Sequence, residues 1–456
     1  MFFNREKEIK ILNERLQSKK SELIVFYGRR RVGKTELIRH FFKDYSHIYF
    51  MADQRNTIEQ LEIVSWLLAE HFQDEYISSN PIRNWEQFFT YLKSRKFSEK
   101  LVLIFDEFPY LVESSPELPS IIQRHWDNWL KKRNIFFILC GSSMSFMEKK
   151  VLSYKSPLYG RRTGQIELRP FNYANAAEML GLKPSEKLIQ FLGVFGNIPA
   201  YLELANPGKS IWQNIMEQII PVDRFLHNEV RFLLMQELRT PQNYFAIMRA
   251  ISLGKVKINE IVQSTQLDRG IVGKYLNKLI ELRIIERRVP ANENPLKSRK
   301  GIYIIKDNFF RFWFRFIYPY LTYIEDDRAN IVMQKIKADF SIYLGHIFEE
   351  VCLEFLKLNP DTIPFDYERI GSWWDRNEEI DILAYNKNGE TLIGECKFSN
   401  KKIGVNILDN LKRKGKLIEG CNKEKYYILF SKCGFTDDMK TIAGKENVIL
   451  VQLNDM

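Results

Sequence analysis

The chain has 456 residues, 45% hydrophobic and 14% aromatic, about three times the usual domain length, which predicts two to four packed domains and excludes a disordered chain. Its net charge of +11 favours an anionic partner, without separating nucleic acid from a membrane surface. Six His residues with no HExxH pattern give zinc hydrolysis no support, and five scattered cysteines (Cys140, Cys352, Cys396, Cys421, Cys433) with no CxxC pair read as reduced core thiols.

The N-terminal stretch MFFNREKEIKILNERL reads as an amphipathic helix rather than a secretory leader, so a cytosolic, cytoplasmic protein is expected. The next segment, ELIVFYGRRRVGKTELIRHFF (22–42), is an apolar strand, a loop and a helix, and the loop matches GxxxxGK[ST] in full. Residues Gly28, Arg29, Arg30, Arg31, Val32, Gly33, Lys34 and Thr35 are therefore expected to bind ATP. Backbone N–H groups cradle the phosphates, Lys34 reaches the terminal ones and the Thr35 hydroxyl ligates Mg²⁺. KLVLIFDEFPYL (100–111) is an apolar strand ending in Asp106, placed to hold Mg²⁺, and Glu107, placed to polarise water. Further strands at 47–52 and 134–143 alternate with helical stretches such as 57–72, which predicts an α/β, doubly wound parallel sheet over 1–170. Ser142 and Ser143, closing the fourth strand, are candidate γ-phosphate sensors or plain polar caps.

The phrases FYGRRRVGKTELI and LIFDEFPYL, with SPLYGRRTGQIELRPF (156–171) and FGNIPAYL (195–202), resemble the archaeal-type AAA+/STAND ATPases. The resemblance implies an arginine finger at Arg161 or Arg162 and packing of Gly196 and Pro199 near the adenine, with residues 171–239 as a helical lid. A finger acting in trans would require a homo-oligomer.

Residues 240–306 change character. Two short helices and a longer one opening at the N-cap Asp268 precede an alternating hairpin around a polar loop, the order of a winged helix-turn-helix. The segment holds thirteen Lys/Arg against five Asp/Glu. Arg269, Lys274 and Lys278 on the longer helix, with Lys297, Arg299 and Lys300 in the wing, are the expected DNA contacts, to phosphate before base. The aromatic block NFFRFWFRFIYPYL opens a stretch, 307–335, expected to be a linker helix that packs rather than stacks on nucleic acid.

In 336–456, an amphipathic helix over 340–358 is followed by two apolar runs around NKNG, a hairpin signal. With a three-residue loop, 387–389, Asn386 pairs with Glu390 and Asp381 falls opposite Glu395; a two-residue loop shifts the pair by one. Alternation puts Glu395 and Lys397 on one strand face. Two carboxylates and one lysine are poorly balanced unless a divalent metal joins them: Asp381 and Glu395 would supply oxygen ligands to Mg²⁺ or Mn²⁺, and Lys397 would orient water and stabilise phosphate charge. This pattern resembles the PD-(D/E)xK restriction-endonuclease-like superfamily, with Ile380 in place of the leading Pro, and the resemblance implies that Glu349 is an accessory metal ligand. The rival expectation is a nucleotide-gated switch whose last domain does not cleave.

Overall fold

A computed structural model describes residues 2–238, 240–418 and 424–456, which fall into two compact units, Met1–Pro170 and Phe171–Met456. Cys421 lies outside the described residues; Cys140, Cys352 and Cys396 are buried thiols.

The first unit is built on five parallel strands: β1 (Glu22–Tyr27), β2 (His47–Met51), β3 (Leu101–Asp106), β4 (Ile135–Gly141) and β5 (Gly164–Glu167), in the order β2-β3-β4-β1-β5. Every residue of β1, β3 and β4 is buried. That requires apolar cover on both faces, which is why these strands read as unbroken hydrophobic runs instead of alternating ones. The cover comes from helices such as Thr57–Phe72 and Trp85–Ser94, whose Leu61, Val64, Leu68, Phe88 and Phe89 join the same core as Leu103, Phe105 and Phe137. The parallel-sheet expectation is met, and the P-loop leaves β1, an inner strand between β4 and β5.

The second unit begins with five helices between Tyr173 and Glu237, continues through helices Pro241–Ser252, Ile258–Thr265 and Arg269–Glu281, and reaches an antiparallel hairpin of β6 (Ile285–Arg288) and β7 (Ile302–Ile305). Asp268 caps the third of these helices by accepting from the N–H groups of Gly270 and Ile271, as its sequence position predicts. The C-terminal sheet has the order β12-β11-β10-β9-β8. Here β8 (Arg369–Trp374), β9 (Glu379–Tyr385) and β10 (Thr391–Lys397) form an antiparallel meander, and β11 (Lys425–Ser431) and β12 (Val448–Gln452) add in parallel.

Three sequence expectations need correction. The stretch 307–335 is not one linker helix. Residues Asn308–Phe312 turn as an α-helix, Trp313–Ile317 as a wide π-type turn and Tyr318–Tyr320 as a 3₁₀ turn at Pro319, which cannot donate to a regular helix. Phe309, Phe310, Phe312, Trp313, Phe314 and Ile317 are each 0% exposed, so the block is core, and the Trp313 indole donates to the His227 carbonyl at 2.8 Å. Nor does a domain begin at 336: one helix runs Ala329–Leu358 across that point. Its Tyr343 hydroxyl donates to the Gly193 carbonyl at 2.5 Å, and a Cβ at Gly193 would meet Leu344 at 2.9 Å. Helices of the 171–239 and 336–456 stretches thus share one interior, with a glycine where they approach most closely.

The loop between β6 and β7 is also not a free wing. Ala291 N–H donates to Ser372 O (2.9 Å), Arg369 to Glu293 O (2.9 Å) and the Trp374 indole to Lys300 O (3.1 Å), so the loop lies along edge strand β8 and covers its open backbone.

Candidate functional site

The P-loop is a connection in which several residues must leave ordinary backbone conformations. Gly33 has φ 89° and Arg31 φ 71°. A Cβ on Gly28 would fall against the Leu168 carbonyl oxygen, so only glycine fits there. Lys34, 6% exposed, donates from Nζ to the carbonyls of Gly28 and Arg29, both at 2.9 Å, which holds the ammonium inside the loop's concavity. Burial pushes its pKa down, opposed by Cys140, Glu107 and Asp106.

Asp106, fully buried at the end of β3, is the centre of the polar network. Its Oδ2 accepts from the Thr35 hydroxyl at 2.8 Å and the Tyr49 hydroxyl at 2.7 Å, and its Oδ1 from Glu107 N–H at 2.9 Å. Thr35 and Asp106 thus stand together, an oxygen pair whose chemistry fits Mg²⁺. Glu107 has φ 51° and accepts from the Ser142 hydroxyl at 2.8 Å and Ser142 N–H at 3.3 Å. β3 and β4 are neighbours, so Ser142 and Glu107 meet at their C-terminal ends.

Two residues of this site escape the sequence reading. Tyr49 sits on β2 beside β3, and burial followed by the Asp106 charge pushes its hydroxyl pKa far up, so it stays a donor. Arg5, 7% exposed with φ 80°, donates to Val32 O at 2.9 Å and to Arg169 O at 2.8 Å, bracing the P-loop from the N-terminal segment. No local pattern marks either: one looks like a strand tyrosine, the other like a solvated residue before a helix.

Other candidates are engaged elsewhere. Arg161 donates to Asp127 Oδ2 at 2.9 and 3.0 Å and Arg162 to Leu152 O at 2.9 Å. In the second unit, Gly196 closes helix Glu186–Phe195 with φ 68° and Pro199 opens a short helix. Of the expected DNA contacts, Arg269, Lys274, Lys297, Arg299 and Lys300 are exposed and Lys278 is half-buried. Arg269 donates to Asn259 Oδ1 at 3.0 Å, Lys278 lies 4.0 Å from Glu281, and Lys300 pairs with Glu293 at 2.7 Å.

In the C-terminal sheet the hairpin takes the three-residue loop. Thr391 pairs with Tyr385 and Gly394 with Ile382, and Asn386 N–H donates to Glu390 O at 3.3 Å. The pairing ends there, one step short of Asp381 and Glu395, and the Asp381 carboxylate accepts from Cys396 N–H at 2.7 Å. Glu395, 6% exposed, is held by two cations: Lys397 Nζ at 2.5 Å on Oε1 and Lys414 Nζ at 3.2 Å on Oε2. Burial first, then the charges of Glu349 on the long helix and of Glu395, push the Asp381 pKa well up. Glu349 also meets His346 Nδ1 at 3.4 Å, a bond that raises the His346 pKa, and burial with the Glu349 charge raises that of Glu379. The donor chemistry suits a hard divalent cation, yet among the described residues no three His, Cys, Asp or Glu side chains are close enough to hold one as they stand. The expected set of Asp381, Glu395 and Glu349 is thus not gathered as a metal centre, and Glu395 is paired with two lysines.

The raised Asp381 pKa has a thermodynamic sign. A carboxyl that binds its proton more tightly folded than unfolded favours the fold at low pH, and that contribution is lost as pH rises through the folded-state value. Asp381→Asn keeps an acceptor for Cys396 N–H and removes the charge. In chelator at neutral pH it should raise stability by about 1 kcal/mol in denaturant unfolding, and the gain should shrink towards acid pH.

Residues 2–204 match the family described as an ATPase domain predominantly from Archaea, and residues 313–408 one described as archaeal and bacterial proteins of unknown function. An uncharacterized protein of Methanocaldococcus jannaschii is 39% identical over 462 aligned positions, covering 100% of both chains. Among solved structures, a Walker-type ATPase of Pyrococcus abyssi is 20% identical, covering 69% of this chain and 96% of that one, with a TM-score of 0.48. The ORC2 protein of Aeropyrum pernix is 14% identical, covering 73% and 93%, with a TM-score of 0.40. No described helix is long and apolar enough to cross a membrane. With a complete P-loop and a buried carboxylate on the P-loop threonine, residues 2–204 form an archaeal-type P-loop ATPase domain, and the whole chain belongs to the same family as its full-length Methanocaldococcus relative.

Proposed function

We propose that this ATPase hydrolyses ATP to control how it holds DNA, and that its C-terminal sheet carries a Mg²⁺-dependent, PD-(D/E)xK-like phosphodiesterase site. The observation that supports the reading is that the Asp381 carboxylate accepts from the N–H of Cys396, the residue next to Glu395, while Lys397 holds the Glu395 carboxylate. In the first site, Thr35 and Asp106 would hold Mg²⁺, Lys34 would bind the terminal phosphates and Glu107 would orient water once released by Ser142. Arg161 or Arg162 would serve a neighbouring subunit of a homo-oligomer, and Gly196 and Pro199 would border the adenine. In the second, Asp381, Glu395 and Glu349 would hold the ion, which would supply charge stabilisation at the phosphate. Lys397 would hold the scissile phosphate and a water beside it.

DNA binding is supported by the helix–helix–helix–hairpin order of 240–306, a winged helix-turn-helix reading, and by the exposed Lys274, Lys297 and Arg299. The docked wing narrows this. Basic side chains of the longer helix, with Arg269 and Lys278 beside Lys274, would carry most phosphate contacts, and Lys300, paired with Glu293, fewer. A second reading, a nucleotide-gated switch that binds DNA or protein without cleaving, is favoured by the commitment of Glu395 to two lysines. Binding and cleavage of single-stranded, duplex and branched DNA, with and without Mg²⁺ and ATP, separates the two. Mg²⁺-dependent cleavage lost in Asp381→Asn is expected; binding without cleavage on all three substrates rejects the phosphodiesterase reading and leaves the switch.

A further inference from the structure

The cation run Lys412-Arg413-Lys414 ends helix Val405–Gly415, where three adjacent cations would ordinarily be a solvated face favoured by the helix dipole. The fold sends the three side chains to different places. Lys412 pairs with Glu446 at 2.5 Å and Arg413 with Glu378 at 2.6 Å, both at the surface. Lys414 turns inward: its side chain is 12% exposed, and its Nζ donates to the Glu379 carbonyl at 2.8 Å and to Glu395 Oε2 at 3.2 Å. It therefore bridges the start of β9 and the end of β10, the two strands that bring Asp381 and Glu395 together.

The next residue packs closely on the sheet: a Cβ on Gly415 would come within 2.7 Å of the tip of the Ile393 side chain on β10. Lys397 and Lys414 together occupy both oxygens of Glu395. The two are not equivalent: Lys397 is 38% exposed at the mouth of the site, and Lys414 is enclosed. Lys397 can swing to a phosphate, but Lys414 has the Glu379 carbonyl as its fixed second partner.

We propose that Lys414 is the positioning residue of the C-terminal site: it fixes the orientation of Glu395 and competes with a divalent cation for that carboxylate. The competition rests on the metal-dependent reading above; the positioning does not. A built-in ammonium of this kind keeps the carboxylate ordered and partly neutralised, and sets how much divalent cation is needed before Glu395 is released to it.

The test uses the full chain with Lys414→Met, which keeps the stem and removes the charge, Lys414→Arg, Glu395→Gln and the Lys414→Met/Glu395→Gln double variant. In chelator, a thermal-unfolding cycle should show that Lys414→Met lowers the midpoint in the presence of Glu395 and changes it much less once Glu395 is Gln. Calorimetric titration with Mn²⁺ should give the opposite sign, with Lys414→Met binding at least about tenfold more tightly than wild type and Lys414→Arg close to wild type. A residue that merely supported the fold would weaken both. Additive midpoint shifts in the cycle overturn the positioning role, and unchanged or weaker Mn²⁺ affinity in Lys414→Met overturns the competition. If neither wild type nor Lys414→Met binds Mn²⁺, the metal-dependent reading and the competition fall together, and the cycle alone decides the positioning role. Should Lys414→Met fail to fold, Lys414→Gln replaces it, since its amide can still donate to the Glu379 carbonyl without placing a charge on Glu395.

Discussion

Lys34→Ala should lower ATP turnover by at least about 10²–10³-fold, the loss expected when a preorganised group facing developing phosphate charge is removed. The Lys34 ammonium already lies inside the loop, held by the Gly28 and Arg29 carbonyls, so binding nucleotide exchanges two neutral acceptors for charged ones and costs little reorganisation. The substitution also removes a buried cation whose pKa burial has lowered. Nucleotide-free stability should therefore change little, while the rise in unfolding midpoint produced by ATP disappears. Lys34→Arg should not rescue turnover, because a planar guanidinium cannot occupy the point between two carbonyls that an ammonium fits. Steady-state phosphate release and thermal unfolding with and without ATP measure both halves. Turnover within tenfold of wild type in Lys34→Ala would mean that the P-loop is not the hydrolytic site.

Lys397→Ala should reduce Mg²⁺-dependent DNA cleavage by about 10²–10³-fold while leaving ATP turnover unchanged. Burial works against the charged form of Lys397, but its bond to Glu395 and the charges of Glu395, Asp381 and Glu349 outweigh that and raise its pKa. The ammonium therefore remains charged at any working pH and can offset a phosphate. Its removal leaves Lys414 as the remaining cation on Glu395, so the fold should survive and the loss should be in cleavage. Mg²⁺-dependent cleavage that persists in Lys397→Ala would assign it to another site, or to a contaminant.

How much of this was legible beforehand depended on whether the chemistry lay along the chain or across it. The P-loop is one contiguous run, and Asp106 and Glu107 close an apolar strand, so both sites are read from local pattern. The hairpin register was also accessible, because counting outward from Asn386 and Glu390 across three loop residues leads to the pairs that end at Ile382 and Gly394, one step short of Asp381 and Glu395. Three features were not. The long helix begins at Ala329 instead of near 340, because propensity cannot separate a helix from the turns that precede it. The aromatic block reads as a helix but packs as broken turns, because burying so many rings outweighs the regularity of one helix. The wing reads as a basic, solvated loop, and only the presence of edge strand β8 gives its backbone somewhere to bond.

The sequence by itself determined the phosphate-binding loop, the parallel sheet that holds it and the strand pair carrying Asp381, Glu395 and Lys397. These follow from hydrophobic period, turn residues and spacing, which act over a few residues. Tertiary structure decided which charges are spent and which remain available. Arg5 and Tyr49 entered the nucleotide site from distant segments, Ser142 took hold of Glu107, and of three consecutive cations only Lys414 turned inward. The reason is physical: a charged side chain has many low-energy directions in solution, and only the partner that the fold brings within hydrogen-bond reach selects among them.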